Sequence, residues 1–266
     1  MKKLALVATV SLLAIVACSG AEAADMQLKA QPRVAAYSWT GCYAGAHLGW
    51  AWAHHEVTAS NFSFGPGPNG SPIAATNSLE TNQGVYGGQL GCNYQFSGNW
   101  VVGIQGDIAG TDLHGNVADP FDRIVNGAGP GTLGVKTDWL ASVTARLGVT
   151  AWNNQALFYV KGGAAFDRSR WDFSRSSYCA FYNGCLNYFP EDRRTGWTAG
   201  AGAEWVISPT SPKWTAFVEY DYYDFGSNGG SFPVDVRNID PRNALSLGNQ
   251  HIQTLKVGLN YRLFTP

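Results

Sequence analysis

Residues 136–150 read KTDWLASVTARLGVT, and this stretch decides the fold class. Apolar side chains occupy every second position, and the intervening set is mixed and includes a charge: Trp139, Ala141, Val143, Ala145, Leu147 and Val149 alternate with Leu140, Ser142, Thr144, Arg146 and Gly148. A period of two residues predicts a β-strand whose two faces meet different surroundings.

Eight such runs follow one another along the chain: 41–52, 84–96, 100–112, 136–150, 156–172, 194–208, 213–226 and 250–264. In order, the connections hold about 31, 3, 23, 5, 21, 4 and 23 residues, the alternation of long and short that is typical of membrane barrels. All 12 prolines fall outside the runs, as expected where proline would break a hydrogen-bond ladder. The pattern predicts an all-β fold, an eight-stranded antiparallel up-and-down transmembrane β-barrel with short periplasmic turns and four long extracellular loops.

Composition supports this class and argues against others. Charged residues are 14% of the 266, against roughly 25% in average proteins, and a lipid-facing exterior explains the shortage. A net charge of −1 gives no reason to expect nucleic acid as a partner. Aromatic residues, at 13%, argue against disorder.

The N-terminus has the organisation of a secretory signal peptide, which we place at residues 1–23. Lys2 and Lys3 precede an apolar stretch at 4–17, and Ala21-Glu22-Ala23 matches an A-x-A cleavage site. No other segment is apolar for long enough to span a bilayer as a helix, so a closed barrel is the remaining route through a membrane.

Two further boundaries follow from that cleavage site. We expect residues 24–38 to form a periplasmic lead-in and residues 39–266 to form the barrel domain. Ile15-Val16-Ala17-Cys18 also resembles a lipoprotein box, so lipidation of Cys18 stays open as an alternative.

The ten tryptophans divide into two groups of five. One group falls at the predicted periplasmic ends and the other towards the opposite ends: Trp39, Trp100, Trp152, Trp205 and Trp214, then Trp50, Trp52, Trp139, Trp171 and Trp197. A soluble β-sandwich or lipocalin-like barrel also alternates, but it has no reason to sort tryptophans into two belts. We therefore predict two aromatic girdles flanking an apolar band.

The mixed faces of the runs are predicted to fill the lumen. Their acids and bases are nearly balanced, and the polar network we expect is His47, Gln89, Asp107, Arg146, Lys161, Glu204, Glu219, Asp221, Lys256 and Arg262. Eight strands enclose a space just wide enough for side chains, and buried charges are costly unless paired. We therefore expect a largely plugged lumen.

Four motifs resemble one known family. Residues 39–45 (WTGCYAG) resemble the W-T-G-x-Y-x-G opening of the small porin-like outer-membrane β-barrel family of α-proteobacteria. Residues 87–95, 138–148 and 257–262 are similar to its second, fourth and closing strands. The resemblance implies an OmpA-like eight-stranded barrel in the outer membrane of a Gram-negative bacterium. It also implies roles in envelope integrity and surface antigenicity and, in some members, porin activity or haemin binding.

The same resemblance implies partners. These are outer-membrane lipid, lipopolysaccharide and the barrel assembly machinery, which reads a C-terminal aromatic residue. Phe264 falls one position out of phase with Tyr261 and Leu263, so that signal is present but imperfect.

The cysteines and two histidines are further candidates. Four cysteines remain after cleavage, an even number that favours disulfides in an exported protein. We predict a Cys179–Cys185 bond in the third long loop, while Cys42 and Cys92 either form a cross-strand bond, which we favour, or face lipid. His54 and His55, at the extracellular rim, are candidates for haemin, although the simpler interpretation is solvated loop residues.

The sequence favours a non-enzymatic, structural, surface-exposed outer membrane protein that contributes to envelope integrity. It predicts no catalytic residue, metal or cofactor. Two alternatives stay open, a low-conductance passive porin for small solutes and a haemin-binding surface receptor.

Overall fold

The structure is a computed structural model that describes residues 37–61, 73–118, 131–175, 186–188, 191–208, 212–227, 231–233 and 244–264. These residues form ten strands: β1 (Gly41–Asn61), β2 (Ile73–Phe96), β3 (Trp100–Ala118), β4 (Gly131–Ala151), β5 (Ala156–Arg175), β6 (Leu186–Tyr188), β7 (Glu191–Val206), β8 (Trp214–Asp224), β9 (Ser231–Pro233) and β10 (Ala244–Phe264). Across the described ranges, no helix has the length and apolar character needed to cross a membrane.

The eight long strands close into a ring in which each strand is antiparallel to both neighbours. The order is β1-β2-β3-β4-β5-β7-β8-β10, and β10 returns to pair with β1. The short strands β6 and β9 lengthen the ladders along β5 and β10. Closure pairs the edge strands with each other, which satisfies their backbone groups without water. The eight-stranded antiparallel barrel is confirmed.

The strands extend further than the alternation predicted, and most of the extra length lies at the end with the long connections, here called the long-loop end. The β1–β2 ladder continues from Trp50↔Gly84 to Asn61↔Ile73. A membrane strand needs only about 9–11 residues, so part of this ladder stands beyond the bilayer. The alternation reverses there, with apolar side chains such as Val57 and Leu79 buried inside and polar side chains such as Glu80 exposed outside. The lipid-facing pattern that identified the runs therefore ends before the strands do.

The opposite end, here called the short-turn end, has tight connections. The turns at 97–99 and 152–155 use left-handed backbone at Ser97, Trp152, Asn153 and Asn154, and Gly98 has φ 78°. Asparagine and glycine tolerate positive φ, which suits tight hairpins. Membrane barrels keep their short turns in the periplasm, and the prediction that the long-loop end faces outward rests on this rule.

The two faces of each strand differ as the period of two requires. On β3, the Ile104 side chain is 66% exposed on the outer surface, whereas the neighbouring Gln105 is 1% exposed inside. Large apolar side chains are exposed on all eight long strands, among them Leu48, Leu90, Val143, Phe158, Trp197, Tyr220 and Leu255. An exposed apolar surface of this extent indicates a lipid environment.

Candidate functional site

Six titratable side chains from five strands meet inside the barrel, and we name them the central cluster: His47, Asp107, Lys161, Glu219, Asp221 and Lys256. Each is at most 5% exposed. Strand alternation points all six inward, and ring closure brings β10 against β1 and β8.

Lys256 is the hub of the central cluster. Its Nζ lies 2.7 Å from Asp221 Oδ2, 3.1 Å from Glu219 Oε1 and 3.4 Å from Asp107 Oδ1. Charges this deeply buried are tolerated only when they are paired and hydrogen-bonded.

The other two basic side chains of the cluster, Lys161 and His47, also contact its carboxylates. Lys161 Nζ lies 2.8 Å from Glu219 Oε1 and 3.0 Å from Asp221 Oδ1. His47 Nε2 lies 2.8 Å from Asp107 Oδ2. Every carboxylate of the cluster is therefore within ion-pair distance of two basic groups.

A second group, the Arg146 network, lies next to the central cluster. Arg146 Nη2 is 3.1 Å from Glu204 Oε2, and its guanidinium carbon lies 3.8 Å from the centroid of the Tyr159 ring. The guanidinium also donates to the Tyr43 hydroxyl, which donates to Gln105 Oε1 at 2.8 Å. Tyr159 OH donates to Glu219 Oε2 at 2.8 Å and so joins the two groups.

Amide side chains extend the Arg146 network across the ring. Asn260 Nδ2 donates to Glu204 Oε1 at 2.8 Å, and Gln89 Nε2 donates to Asn260 Oδ1 at 2.8 Å. Gln105 Nε2 donates to Gln89 Oε1 at 3.2 Å. The bonds connect β1, β2, β3, β4, β7 and β10 through their side chains.

Arg262 is separate from both groups. Its Nη2 donates to the Thr40 carbonyl oxygen at 2.6 Å, and its guanidinium carbon lies 4.7 Å from the centroid of the Tyr37 ring. The ten predicted network residues thus divide into the central cluster, the Arg146 network with Gln89 and Glu204, and Arg262.

Sequence reasoning did not assign Tyr43 and Tyr159 to the network. The predicted network was drawn from charged residues, one histidine and one glutamine, so tyrosines were left out of it. The alternation along each strand could have identified them. Tyr43 lies on the same face of β1 as His47, and Tyr159 lies on the same face of β5 as Lys161.

Apolar side chains close the lumen on both sides of these groups. Towards the short-turn end, Trp39, Val101 and Leu157 are buried together, and Trp39 Nε1 donates to the Asn154 carbonyl at 2.9 Å. Towards the long-loop end lies a second buried layer: Ala51, Ala53, Val85, Leu113, Leu140, Ala165, Tyr223, Phe225 and Ile252. The interior is therefore layered, with apolar side chains packed on either side of the predicted polar network.

Two tryptophans do not occupy the predicted girdles. Trp39 precedes β1, so the alternation of that strand does not determine its direction. Its side chain is buried inside the barrel. Trp171 is buried because it shares the inward phase of Asp167 and Ser169 on β5. The sequence prediction placed Trp171 by its distance from the strand end and did not use this inward phase.

The other eight tryptophans lie on the outer surface or are partly exposed. Seven are 43–71% exposed: Trp50, Trp52, Trp100, Trp152, Trp197, Trp205 and Trp214. Trp139 is half-buried. Trp197 and Trp205 lie on one face of β7. With a rise of ~3.3 Å per residue and a strand tilt of about 40°, they are about 20 Å apart along the barrel axis.

The two candidate haemin residues do not converge. His55 points inward, is 1% exposed and lies with its ring centroid 5.9 Å from that of Trp171. His54 points outward, with Nδ1 3.9 Å from Glu80 Oε1. Successive strand residues face opposite sides, so one ligand cannot reach both rings. Among the residues that the structure describes, no group of three or more His, Cys, Asp and Glu is arranged to hold a metal.

The structure pairs two of the cysteines. Cys42 and Cys92 are directly opposite in the β1–β2 register and form a disulfide, the first of the two alternatives. Cys179 and Cys185 lie outside the described residues, as do Cys18, the predicted signal peptide at 1–23 and residues 24–36 of the lead-in.

Comparison with known proteins agrees with the barrel fold. A family model of the outer membrane protein beta-barrel domain matches residues 10–262. The chain is 29% identical over 229 residues to a 31 kDa outer-membrane immunogenic protein of Brucella melitensis biotype 1, covering 85% of this chain and 84% of that protein. It is 25% identical over 226 residues to a 25 kDa outer-membrane immunogenic protein of Brucella abortus biovar 1, covering 85% and 80% of the two chains.

Among solved structures, Ail from Yersinia pestis aligns over 84% of this chain and 100% of its own, with a TM-score of 0.37 and 15% identity. The family match covers nearly the whole barrel, and the resemblance drawn from the sequence is confirmed. The chain is an outer membrane protein that belongs to the outer membrane beta-barrel domain family.

Proposed function

We propose that this protein is a structural, surface-exposed barrel with a closed lumen that contributes to the integrity of the outer membrane. One observation carries the proposal. The central cluster is at most 5% exposed, and apolar layers lie on both sides of it. A hydrated ion would have to displace packed aromatic and aliphatic side chains and then break buried ion pairs, which is costly.

The role we propose is non-enzymatic. The carboxylates of the central cluster are held by Lys161 and Lys256, and Glu204 is held by Arg146. Groups locked in buried ion pairs are poorly placed to exchange protons with a substrate. The immunogenic outer-membrane relatives support a surface antigen in which the long-loop end is the exposed part.

A low-conductance porin is the second candidate, because an ionic lumen could conduct if its side chains moved. Single-channel recording in planar bilayers tests both candidates. Folded protein, identified by heat-modifiable migration on gels, is expected to give no steady conductance above that of a protein-free bilayer. Steady openings in the wild-type protein would contradict the closed lumen and favour the porin.

A further inference from the structure

Four titratable side chains form one row across the outer wall of the barrel at the long-loop end, and we name them the histidine row: Glu80 on β2, His54 on β1, His251 on β10 and Asp224 on β8. Each member is the direct ladder partner of the next. Their strand neighbours His55, Gln250 and Tyr223 are buried inside. Alternation therefore directs the row away from the lumen.

The histidine row lies beyond the apolar band of the outer wall. On β1, the exposed rings of Trp50 and Trp52 lie on the membrane side of His54. Tryptophan belts mark the interface between hydrocarbon and headgroups, so His54 stands on the aqueous side of that interface. The side chains of His54 and His251 are 39% and 34% exposed, and dissolved ions can therefore reach both imidazoles.

The two histidines are close enough to share one ion. His54 and His251 are direct partners in the β1–β10 ladder. The Cβ atoms of cross-strand partners lie about 4.5–5.5 Å apart. Two imidazole nitrogens that bind the same metal ion, each at about 2.0–2.1 Å, lie roughly 3 Å from each other. Opposed imidazoles of exposed side chains can therefore bind one ion between them.

The other members of the row contact the Nδ1 atoms of these rings. His54 Nδ1 lies 3.9 Å from Glu80 Oε1. His251 Nδ1 lies 3.7 Å from Asp224 Oδ1 and 2.9 Å from the Tyr222 hydroxyl oxygen. Because Glu80 and Asp224 lie on opposite sides of the pair, the Nδ1 atoms face apart and the Nε2 atoms are left for a ligand. Within the described part of the chain, neither Nε2 has a hydrogen-bond or ion-pair partner.

These contacts are the ones that metal-binding histidines use. A histidine that binds a metal through one ring nitrogen commonly donates the other N–H to a carboxylate or another acceptor, which fixes the ring and raises its basicity. Glu80, Asp224 and Tyr222 stand in those acceptor positions. The row holds two carboxylates and no lysine or arginine, so a divalent cation would balance its charge. In the β5–β7 ladder, by contrast, Arg168 lies directly opposite Arg193.

We propose that His54 and His251 bind one divalent late transition-metal ion, of the class of Cu²⁺ and Zn²⁺, through their Nε2 atoms, with water in the remaining positions. Imidazole nitrogen suits these ions, whereas Ca²⁺ and Mg²⁺ take oxygen ligands. A site with two protein ligands agrees with the lack of a larger group of metal ligands among the described residues. The site lies on the outer wall and does not require the lumen to be closed.

The test uses untagged, metal-free protein refolded in detergent. With one equivalent of Cu²⁺, the electron paramagnetic resonance spectrum of the wild type is expected to show two imidazole nitrogens. In calorimetric titrations with Zn²⁺, His54→Gln and His251→Gln should each bind at least roughly tenfold more weakly, because one of the two protein ligands is lost. His114→Gln, at another exposed histidine whose Nδ1 lies 2.7 Å from the Asp112 carbonyl oxygen, is the matched control and should bind as the wild type does.

Heat-modifiable migration verifies that each variant folds. The nitrogen count in the wild-type Cu²⁺ spectrum decides the proposal if a histidine variant does not fold. Equal Zn²⁺ affinity in the wild type and either histidine variant would overturn the site, as would a spectrum with fewer than two imidazole nitrogens. A wild-type Kd above roughly 1 mM for Zn²⁺ would also overturn it, because contacts that weak are not a specific site. Conductance is recorded separately, so none of these outcomes decides the closed lumen.

Discussion

Replacing Lys256 by methionine tests whether the barrel interior is as dry as its packing indicates. Lys256 Nζ contacts Asp221, Glu219 and Asp107 at 2.7, 3.1 and 3.4 Å, and the side chain is 1% exposed. Methionine has a similar length and no charge. The change therefore removes the hub of the central cluster with little change of volume.

The expected loss follows from the charges that remain. Three buried carboxylates are left with Lys161 and His47, so at least one loses its main partner. Removing one partner of a buried ion pair costs about 3–5 kcal/mol, whereas a volume-conserving apolar change by itself costs less than about 1.5 kcal/mol. We expect the free energy of unfolding to fall by about 3–5 kcal/mol.

Urea unfolding in lipid vesicles, followed by tryptophan fluorescence, measures this loss. Lys213→Met, an exposed site at the short-turn end, is the control and should change stability by no more than about 0.5 kcal/mol. Adding Asp221→Asn to Lys256→Met should recover part of the loss, with a coupling of about 0.5–3 kcal/mol. A loss below about 1 kcal/mol would refute the dry interior, because hydrated charges pair weakly in water.

Three further predictions address packing and covalent structure. Leu140→Ala should cost about 2–5 kcal/mol of unfolding free energy, because it opens a cavity in the apolar layer, and the same urea assay measures it. Gly49→Ala should cost about 1–3 kcal/mol, because the added methyl group would overlap the Leu255 carbonyl oxygen, whereas Gly106→Ala, where the space is open, should be neutral; equal losses would contradict the close strand approach. Cys42→Ser should lower stability by about 2–4 kcal/mol in oxidising buffer by removing a bond between residues 50 apart in sequence. Wild type treated with reductant should lose the same amount, and no loss in either sample would show that the thiols are free.

The missed features of the site have local causes. Trp171 was assigned to a girdle by its distance from the strand end, and Tyr159 was left out of the network, although the phase of both on β5 sets them inside with Lys161 and Asp167. The cross-strand pair Arg168 and Arg193 could not be found in the sequence, because Arg193 lies just before the run at 194–208 and meets Arg168 only in the β5–β7 ladder. No single run contains the opposed pair.

The sequence alone determined the class of barrel, the number of long strands and the inward or outward direction of most side chains. These properties depend on a period of two and on the length of each connection, both of which are local. Which charges meet was decided by the tertiary structure. Lys256 on β10 contacts Asp107 on β3 and Asp221 on β8 only because the ring closes with one particular register, and register depends on pairing along every ladder at once. The apolar layers above and below the charges arise for the same reason, since they are assembled from residues on many strands.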